Sequence, residues 1–241
     1  MPGVLGLASA DDAGPRRLPS RVWRRVKRLL GGQVYELSYG WGPRFTSALR
    51  KRWILFLHRH ADIRFGAGVH LAPGFSLYMP AGGTFHVGPG TEFRRGFRAE
   101  IADAGRVVIG ARCTFSYYAL IQCSSSVEVG DGCGFGQSCA IFDGNHLYRD
   151  LTRPFMSQGF ALRPIRIGDE CGVLTKTTVL GDIGDRAQVG ANSVVVSPIP
   201  AYSVAVGAPA RVVDYFGPED QRPPELIGRG DADATRAGAQ S

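Results

Sequence analysis

The sequence predicts a mainly β chain, a parallel β-solenoid of six-residue repeats preceded by a short helical segment. Three observations carry that reading. Large apolar residues recur at steps of six: Val129, Phe135 and Ile141, then Ile167, Val173 and Val179, then Ile183, Val189 and Val195. Small residues stand four places after such plugs, at Cys113, Ala119, Ser125, Cys133, Cys139, Cys171, Thr177, Ala187 and Ser193. Glycine follows many plugs directly, as at Gly168, Gly184 and Gly190. A helix repeats near every ~3.6 residues and an alternating strand every ~2, so neither accounts for the pattern. One short strand and one turn per unit, with three units closing a triangular coil, does. Stacked coils then satisfy one another's backbone and bury a continuous core.

About five sets of three units fit between Val87 and Val196, with Val87 and Phe93, and then Ile109, Phe115 and Ile121, in the same phase upstream. The small slot is an inward position near each corner, which gives four of the five cysteines a packing role. The glycine after each plug is expected where the chain bends, because it reaches backbone angles closed to other residues. Cys123 lies outside the slot and has no histidine partner in the sequence, so a nucleophilic thiol there has little support.

The remaining elements follow from composition. Residues 1–20 read as a disordered tail rich in Ala, Gly, Pro and charge. Residues 21–62 read as a basic helical segment. In "SRVWRRVKRLLGG" Ser20 is a cap and Val22, Trp23, Val26, Leu29 and Leu30 share one side, and "FTSALRKRWILFLHRHADI" is a second helical candidate. The segment is either a cap over the open end of the solenoid or a peripheral anchor on anionic membrane. Residues 63–216 make the solenoid, and 217–241 a flexible tail. The chain has 241 residues, 44% of them hydrophobic, enough for a sizeable core. No apolar run approaches the ~20 residues of a membrane span, and the first residues lack the charged start and apolar centre of a signal peptide, so a cytoplasmic protein is expected. Five cysteines without a CxxC pair argue against a disulfide framework and a zinc site. The net charge of +7 lies largely near the amino terminus, and no nucleic-acid partner is expected.

The repeat breaks after Ile141. "FDGNH" leads to His146, and residues 147–164 have no six-residue rhythm before it resumes at Ile165. A loop of that length leaving a tight solenoid is expected to wall or cover a site. His58, His60, His70 and His86 stand beside no comparable loop and read as structural or solvent-exposed.

The hexapeptide array, the histidine on an interrupted coil and the ending "IPAYSVAVGAPARVV" resemble the left-handed β-helix acyltransferases of the hexapeptide-repeat family. The likeness runs from about Val87 to Val213 and begins near Ile63. It implies a left-handed crossover, a homotrimer and an acyl-CoA co-substrate, acetyl-CoA above all, with no metal. It also implies that His146 is the general base. An imidazole of reference pKa near 6.5 can take the proton of an acceptor hydroxyl as that oxygen attacks a thioester. Asp143 and Asn145 would orient the imidazole or hold the acceptor. Gln122 stands where relatives carry an acceptor-site asparagine. Thr175 and Ala191 match the donor groove, Arg211 matches the basic residue that meets a coenzyme A phosphate, and Lys176 lies beside the groove. Gly172, Val173 and Leu174 depart from the family's usual Trp-Ile-Gly, and the turn after Val179 is two residues shorter than usual. A longer acyl chain or an acyl carrier protein therefore stays open as donor.

The expected reaction is transfer to a hydroxyl of a sugar, a glycan precursor or a small natural product. A xenobiotic or antibiotic acetyltransferase and a non-catalytic β-helix scaffold are the alternatives. The zinc carbonic anhydrases of this fold need three histidines from adjacent coils, which this chain does not supply. Serine acetyltransferases carry a much larger helical amino-terminal domain.

Overall fold

A computed structural model of the protein describes residues 41–222. The expected tails, apart from residues 217–222, and the helix expected over 21–30 lie outside the described residues. Helix α1 (Trp41–Leu57) opens the described residues, and a compact unit runs from Phe45 onward.

The solenoid has three parallel faces. The first is formed by β1 (Asp62–Phe65), β4 (Thr84–Val87), β7 (Arg106–Ile109), β10 (Ser126–Val129) and β15 (Ile165–Ile167). The second runs through β2 (His70–Leu71), β5 (Glu92–Phe93), β8 (Thr114–Phe115), β11 (Gly134–Phe135), β16 (Gly172–Val173), β18 (Gln188–Val189) and β20 (Ser203–Val206), and ends on the antiparallel β21 (Arg211–Tyr215). The third holds β3 (Ser76–Tyr78), β6 (Arg98–Ile101), β9 (Leu120–Cys123), β12 (Ala140–Phe142), β17 (Thr178–Val179) and β19 (Val194–Val195). The predicted plugs point inward. Leu71, Phe93, Phe115, Phe135, Val173, Val189 and Ala205 form one vertical column on the second face, each residue in register with the next. Phe115 and Phe135 stack with centroids 4.4 Å apart. The slot residues Cys113, Ala119, Cys133, Cys139, Cys171, Thr177, Ala187 and Ser193 are buried as expected, and Ser125 is half-buried.

The coils are not equal. Asp62 lies beside Thr84 and Thr84 beside Arg106, 22 residues per turn. Arg106 to Ser126 takes 20, and Ile167 to Ile183 and Ile183 to Ile199 take 16 each. Steps of six hold from the first face to the second and from the second to the third. The difference sits in the return from the third face to the first: ten residues from Ala99 to Ile109, eight from Ile121 to Val129, four from Val179 to Ile183. The core narrows accordingly, from phenylalanine plugs in the long coils to valine and alanine in the short ones.

The glycine after each plug has a different cause from the one expected. Gly110 and Gly130 are absent from the positive-φ residues. A Cβ on Gly110 would stand 2.6 Å from the Gly130 carbonyl carbon, and one on Gly130 would stand 2.7 Å from that of Gly168. Close stacking of coil on coil, not backbone angle, excludes a side chain there. The left-handed conformation falls two places later, just before the small slot, at Arg112, Ser138, Glu170, Lys176, Arg186 and Asn192 (φ from 55° to 61°).

Helix α1 takes in the second helical candidate only as far as Leu57, its last residues turning instead into β1, and it closes the first coil by hydrogen bonds. Arg50 Nε donates to the Leu71 carbonyl (3.0 Å), Lys51 Nζ donates to the Val69 carbonyl (2.9 Å), and Ser47 Oγ accepts from the Leu71 N–H (2.8 Å). The open edge of β2 is thereby satisfied, as a solenoid end requires. No helix among the described residues is long and apolar enough to cross a membrane.

Candidate active site

The loop after β12 is folded. β13 (Gly144–His146) and β14 (Phe160–Leu162) pair antiparallel, His146 opposite Phe160, and a single 3-10 turn (Phe155–Ser157) lies between them. The departure from the coil thus begins at Gly144, before the expected loop start at residue 147, and His146 stands on the first arm of a hairpin. That hairpin leaves from the return between the third and first faces, the corner whose length varies from coil to coil.

Under the hairpin lies a cavity of about 310 Å³ lined by Gln122, Ser124, Phe142, Asp143, Asn145, His146, Phe160, Leu162, Thr178 and Leu180, among others. Gln122 and Phe142 are register partners on the outer side of the third face, so the floor of the cavity is the sheet and its roof the hairpin. Four residues expected at the site, Gln122, Asp143, Asn145 and His146, therefore meet at one cavity. Gln122 and Asn145 are exposed.

The His146 ring is held between two phenyl rings, Phe160 with centroids 4.1 Å apart and Phe155 at 4.8 Å. Its Nδ1 is buried and has no hydrogen-bond partner. The imidazole is thus oriented by aromatic packing and not by a carboxylate.

Asp143, expected to orient the imidazole or hold the acceptor, is turned into the wall. It is 3% exposed. Its Oδ1 accepts from the Ser124 N–H (2.9 Å), and its Oδ2 accepts from the Ser125 N–H (2.6 Å), the Ser124 N–H (3.0 Å) and the Cys123 thiol (3.2 Å). Its carbonyl accepts from the Arg163 N–H (2.6 Å) where the chain returns from the hairpin. A corner turn has backbone N–H groups that no neighbouring strand reaches, and Asp143 supplies their acceptor. It roots the hairpin and has no hydrogen bond to His146. Burial and the neighbouring Asp143 carboxylate push the Cys123 thiol up to about 12, which removes it as a nucleophile.

The residues expected to line a donor groove fall on the next corner, between the second and third faces. Val173, Val189 and Ala205 are register partners, so Thr175 and Ala191 follow one above the other, and the Asn192 N–H donates to the Thr175 carbonyl (3.0 Å). Arg211 pairs with Val206 at the end of the same column and is exposed. Lys176 is exposed beside Thr175. Thr178, three residues on from Thr175, is on the cavity wall, so one coil joins the groove to the cavity.

Of the other histidines, His60 Nε2 bonds the Met79 carbonyl (2.8 Å), His86 Nε2 bonds Asp62 Oδ2 (2.7 Å), and His58 Nδ1 bonds the Ile54 carbonyl (3.1 Å). Among the described residues no cluster of three or more His, Cys, Asp or Glu could hold a metal ion. Sequence reasoning missed Phe155 and Phe160. The available signal was Gly159 followed by "FAL", a strand that could pair back onto "GNH".

No protein-family model matches the chain. A probable acetyltransferase of Mycobacterium tuberculosis is 31% identical over 150 residues, 61% of this chain and 47% of its own length. The serine acetyltransferase of the same organism is 30% identical over 117 residues, 46% of this chain and 51% of its own. That of Staphylococcus aureus is 32% identical over 93 residues, 38% of this chain and 44% of its own. The chain spans about half the length of these curated relatives. Among solved structures, AntD, an N-acyltransferase from Bacillus cereus in complex with dTDP and 3-hydroxybutyryl-CoA, superposes with a TM-score of 0.56 at 14% identity, over 76% of this chain and 96% of that one. A mutant of AntD in complex with dTDP and coenzyme A gives 0.58, over 68% of this chain and 89% of the other. These likenesses establish a shared fold.

Proposed function

We propose that this chain is a member of the left-handed β-helix, hexapeptide-repeat acyltransferase family and moves an acyl group from coenzyme A to a hydroxyl of a sugar, a glycan precursor or a small natural product. Acetyl is the first choice of acyl group. The observation that carries the reading is His146, held on a rooted hairpin over a cavity whose floor bears Gln122, one corner away from the column of Thr175, Ala191 and Arg211.

With Nδ1 enclosed, Nε2 is the ring nitrogen left to meet the acceptor. Nε2 takes the hydroxyl proton as the oxygen bonds to the thioester carbonyl carbon. The tetrahedral oxyanion then collapses, the C–S bond breaks, and the departing thiolate recovers the proton from the imidazolium. Gln122 and Asn145 offer amides to the acceptor. Thr175 and Ala191 let pantetheine lie against the corner, Arg211 pairs with a phosphate, and Lys176 adds a second cation nearby. The groove and cavity stand on open faces of the solenoid, which a neighbouring copy would complete; a homotrimer of a cytoplasmic protein is the assembly that fits.

The test is release of free thiol from acetyl-CoA across a panel of sugar and small-molecule alcohols and amines, with light scattering for the assembly. Turnover that needs His146 supports the reading. Failure with every acyl-CoA and acceptor would favour the scaffold alternative, and full activity in His146→Ala would overturn the mechanism.

A further inference from the structure

Helix α1 is amphipathic in the reverse of the usual sense. Its polar side chains Ser47, Arg50 and Lys51 face the solenoid and close the edge of the first coil, with Ile54 buried beside them. Its large apolar side chains face out. Phe45 and Trp53 are each 60% exposed and Phe56 54%, with Leu49 between them. Their spacing of four, four and three residues puts them in one stripe. Trp53 and Phe56 stack with centroids 5.8 Å apart, and the Arg59 guanidinium lies 4.6 Å from the Phe56 ring centroid. Arg44 and Arg52 are exposed at the margins and make no ion pair among the described residues.

Charge selects what covers this stripe. Residues 16–61 hold twelve of the 28 Lys and Arg and only one of the 21 Asp and Glu, Glu36. The rest of the chain is net acidic, so the positive excess is confined to this segment. A second copy of α1 would bring the same positive charge to the contact, and so would residues 21–30 with their five basic side chains. A nucleic acid would match the charge, but it offers no apolar phase for Phe45, Leu49, Trp53 and Phe56. An anionic lipid surface matches both properties.

We infer that α1 is an interfacial helix: Phe45, Leu49, Trp53 and Phe56 enter the boundary between headgroups and acyl chains, and Arg44, Arg52 and Arg59 lie among the lipid phosphates. The inward Arg50 and Lys51 hold the helix to the solenoid, so the whole domain rides on the surface by its first coil. The cap and the anchor are thus two faces of one helix. The inference stands apart from acyl transfer.

The test is co-sedimentation of the full chain with vesicles of phosphatidylcholine alone or mixed with phosphatidylglycerol. Binding is expected only with the anionic vesicles, weakening from low to physiological salt and by about fivefold for each of Arg44→Gln, Arg52→Gln and Arg59→Gln. Trp53→Ser with Phe56→Ser should weaken it by at least ~10-fold and leave the melting temperature unchanged, since both side chains point away from Ser47 and Ile54. Equal binding to both vesicle types, or none, overturns the inference. Binding that survives Trp53→Ser with Phe56→Ser assigns the contact to residues before 41 and overturns it for α1. Self-association relieved by that pair without lipid makes the stripe a protein contact, and preference for duplex DNA over vesicles makes it a nucleic-acid contact; each outcome refutes the lipid assignment.

Discussion

Replacing Asp143 separates a wall residue from a partner of the His146 imidazole. Its carboxylate is the acceptor for two backbone N–H groups of the turn at Ser124 and Ser125 and for the Cys123 thiol, all in a site where it is 3% exposed. Asp143→Ala leaves those donors buried without an acceptor, at ~1–3 kcal/mol for each N–H, so about 4 kcal/mol in all. Asp143→Asn keeps one oxygen and loses one charge-assisted bond, about 2 kcal/mol. For a chain of this size each kcal/mol moves the melting temperature by ~2–4 °C, which gives a fall of about 4–8 °C for Asn and about twice that for Ala. Melting should be followed at fixed protein concentration, because assembly also shifts it. The kcat of the folded Asn variant should stay within ~10-fold of the parent, since the main-chain bond from Arg163 to Asp143 still roots the hairpin. A melting temperature unchanged within a degree together with a kcat lowered ~100-fold would show that Asp143 acts on His146 after all, and the wall assignment would fail.

His146→Ala should lower kcat by ~100-fold or more with an unchanged melting curve, as loss of a general base does; near-parental turnover would dismiss the base. Arg211→Glu should raise the KM for acyl-CoA and leave the acceptor KM alone, because the residue stands at the proposed donor groove and does not line the cavity; equal effects on both would misplace the groove. Phe160→Ala should lower kcat about 10-fold at an unchanged donor KM by freeing the imidazole, and Phe160→Tyr should restore most of the loss. Loss of donor affinity instead would give Phe160 a different task.

What the sequence made legible was whatever repeats. A plug every six residues and a small residue four later identify the buried side of the coil strands that carry them, because each position faces the same geometry on each coil. His146 was legible as the point where that rhythm stops. The other features depend on contacts between coils, which spacing along the chain does not encode. Gly110 reads like a turn glycine, yet the cause is the Gly130 carbonyl carbon, 2.6 Å from where its Cβ would be. Asp143 in "FDGNH" reads like a partner of the histidine three residues on, but its acceptors serve Ser124 and Ser125 on the previous coil. Phe155 and Phe160 lie inside a stretch without rhythm, and only the pairing of β13 with β14 brings them to the imidazole.

The place where the hairpin leaves the solenoid follows from the same accounting of the coils. Two of the three sides are locked at six residues, because each must deliver one plug and one slot residue to a shared core. The return from the third face to the first is not locked: it takes ten residues after Ala99, eight after Ile121 and four after Val179 and Val195. Strand pairing above and below is unaffected by its length, since Val127 pairs with Val107 on one side and Ile165 on the other although the hairpin intervenes. An insertion there costs only slowly growing loop entropy and disturbs no ladder. The corner still has to satisfy the turn beneath it, which is the task of Asp143, and once that carboxylate is in place the chain is free to rise as β13. The fold therefore confines a large excursion to this edge, next to the outer side of the third face, where Gln122, Phe142 and Thr178 already form a floor. A histidine on the first arm of such an excursion is positioned by the coil on one side and by the returning strand on the other, which is how a solenoid without a deep interior pocket comes to hold an imidazole with one ring nitrogen buried.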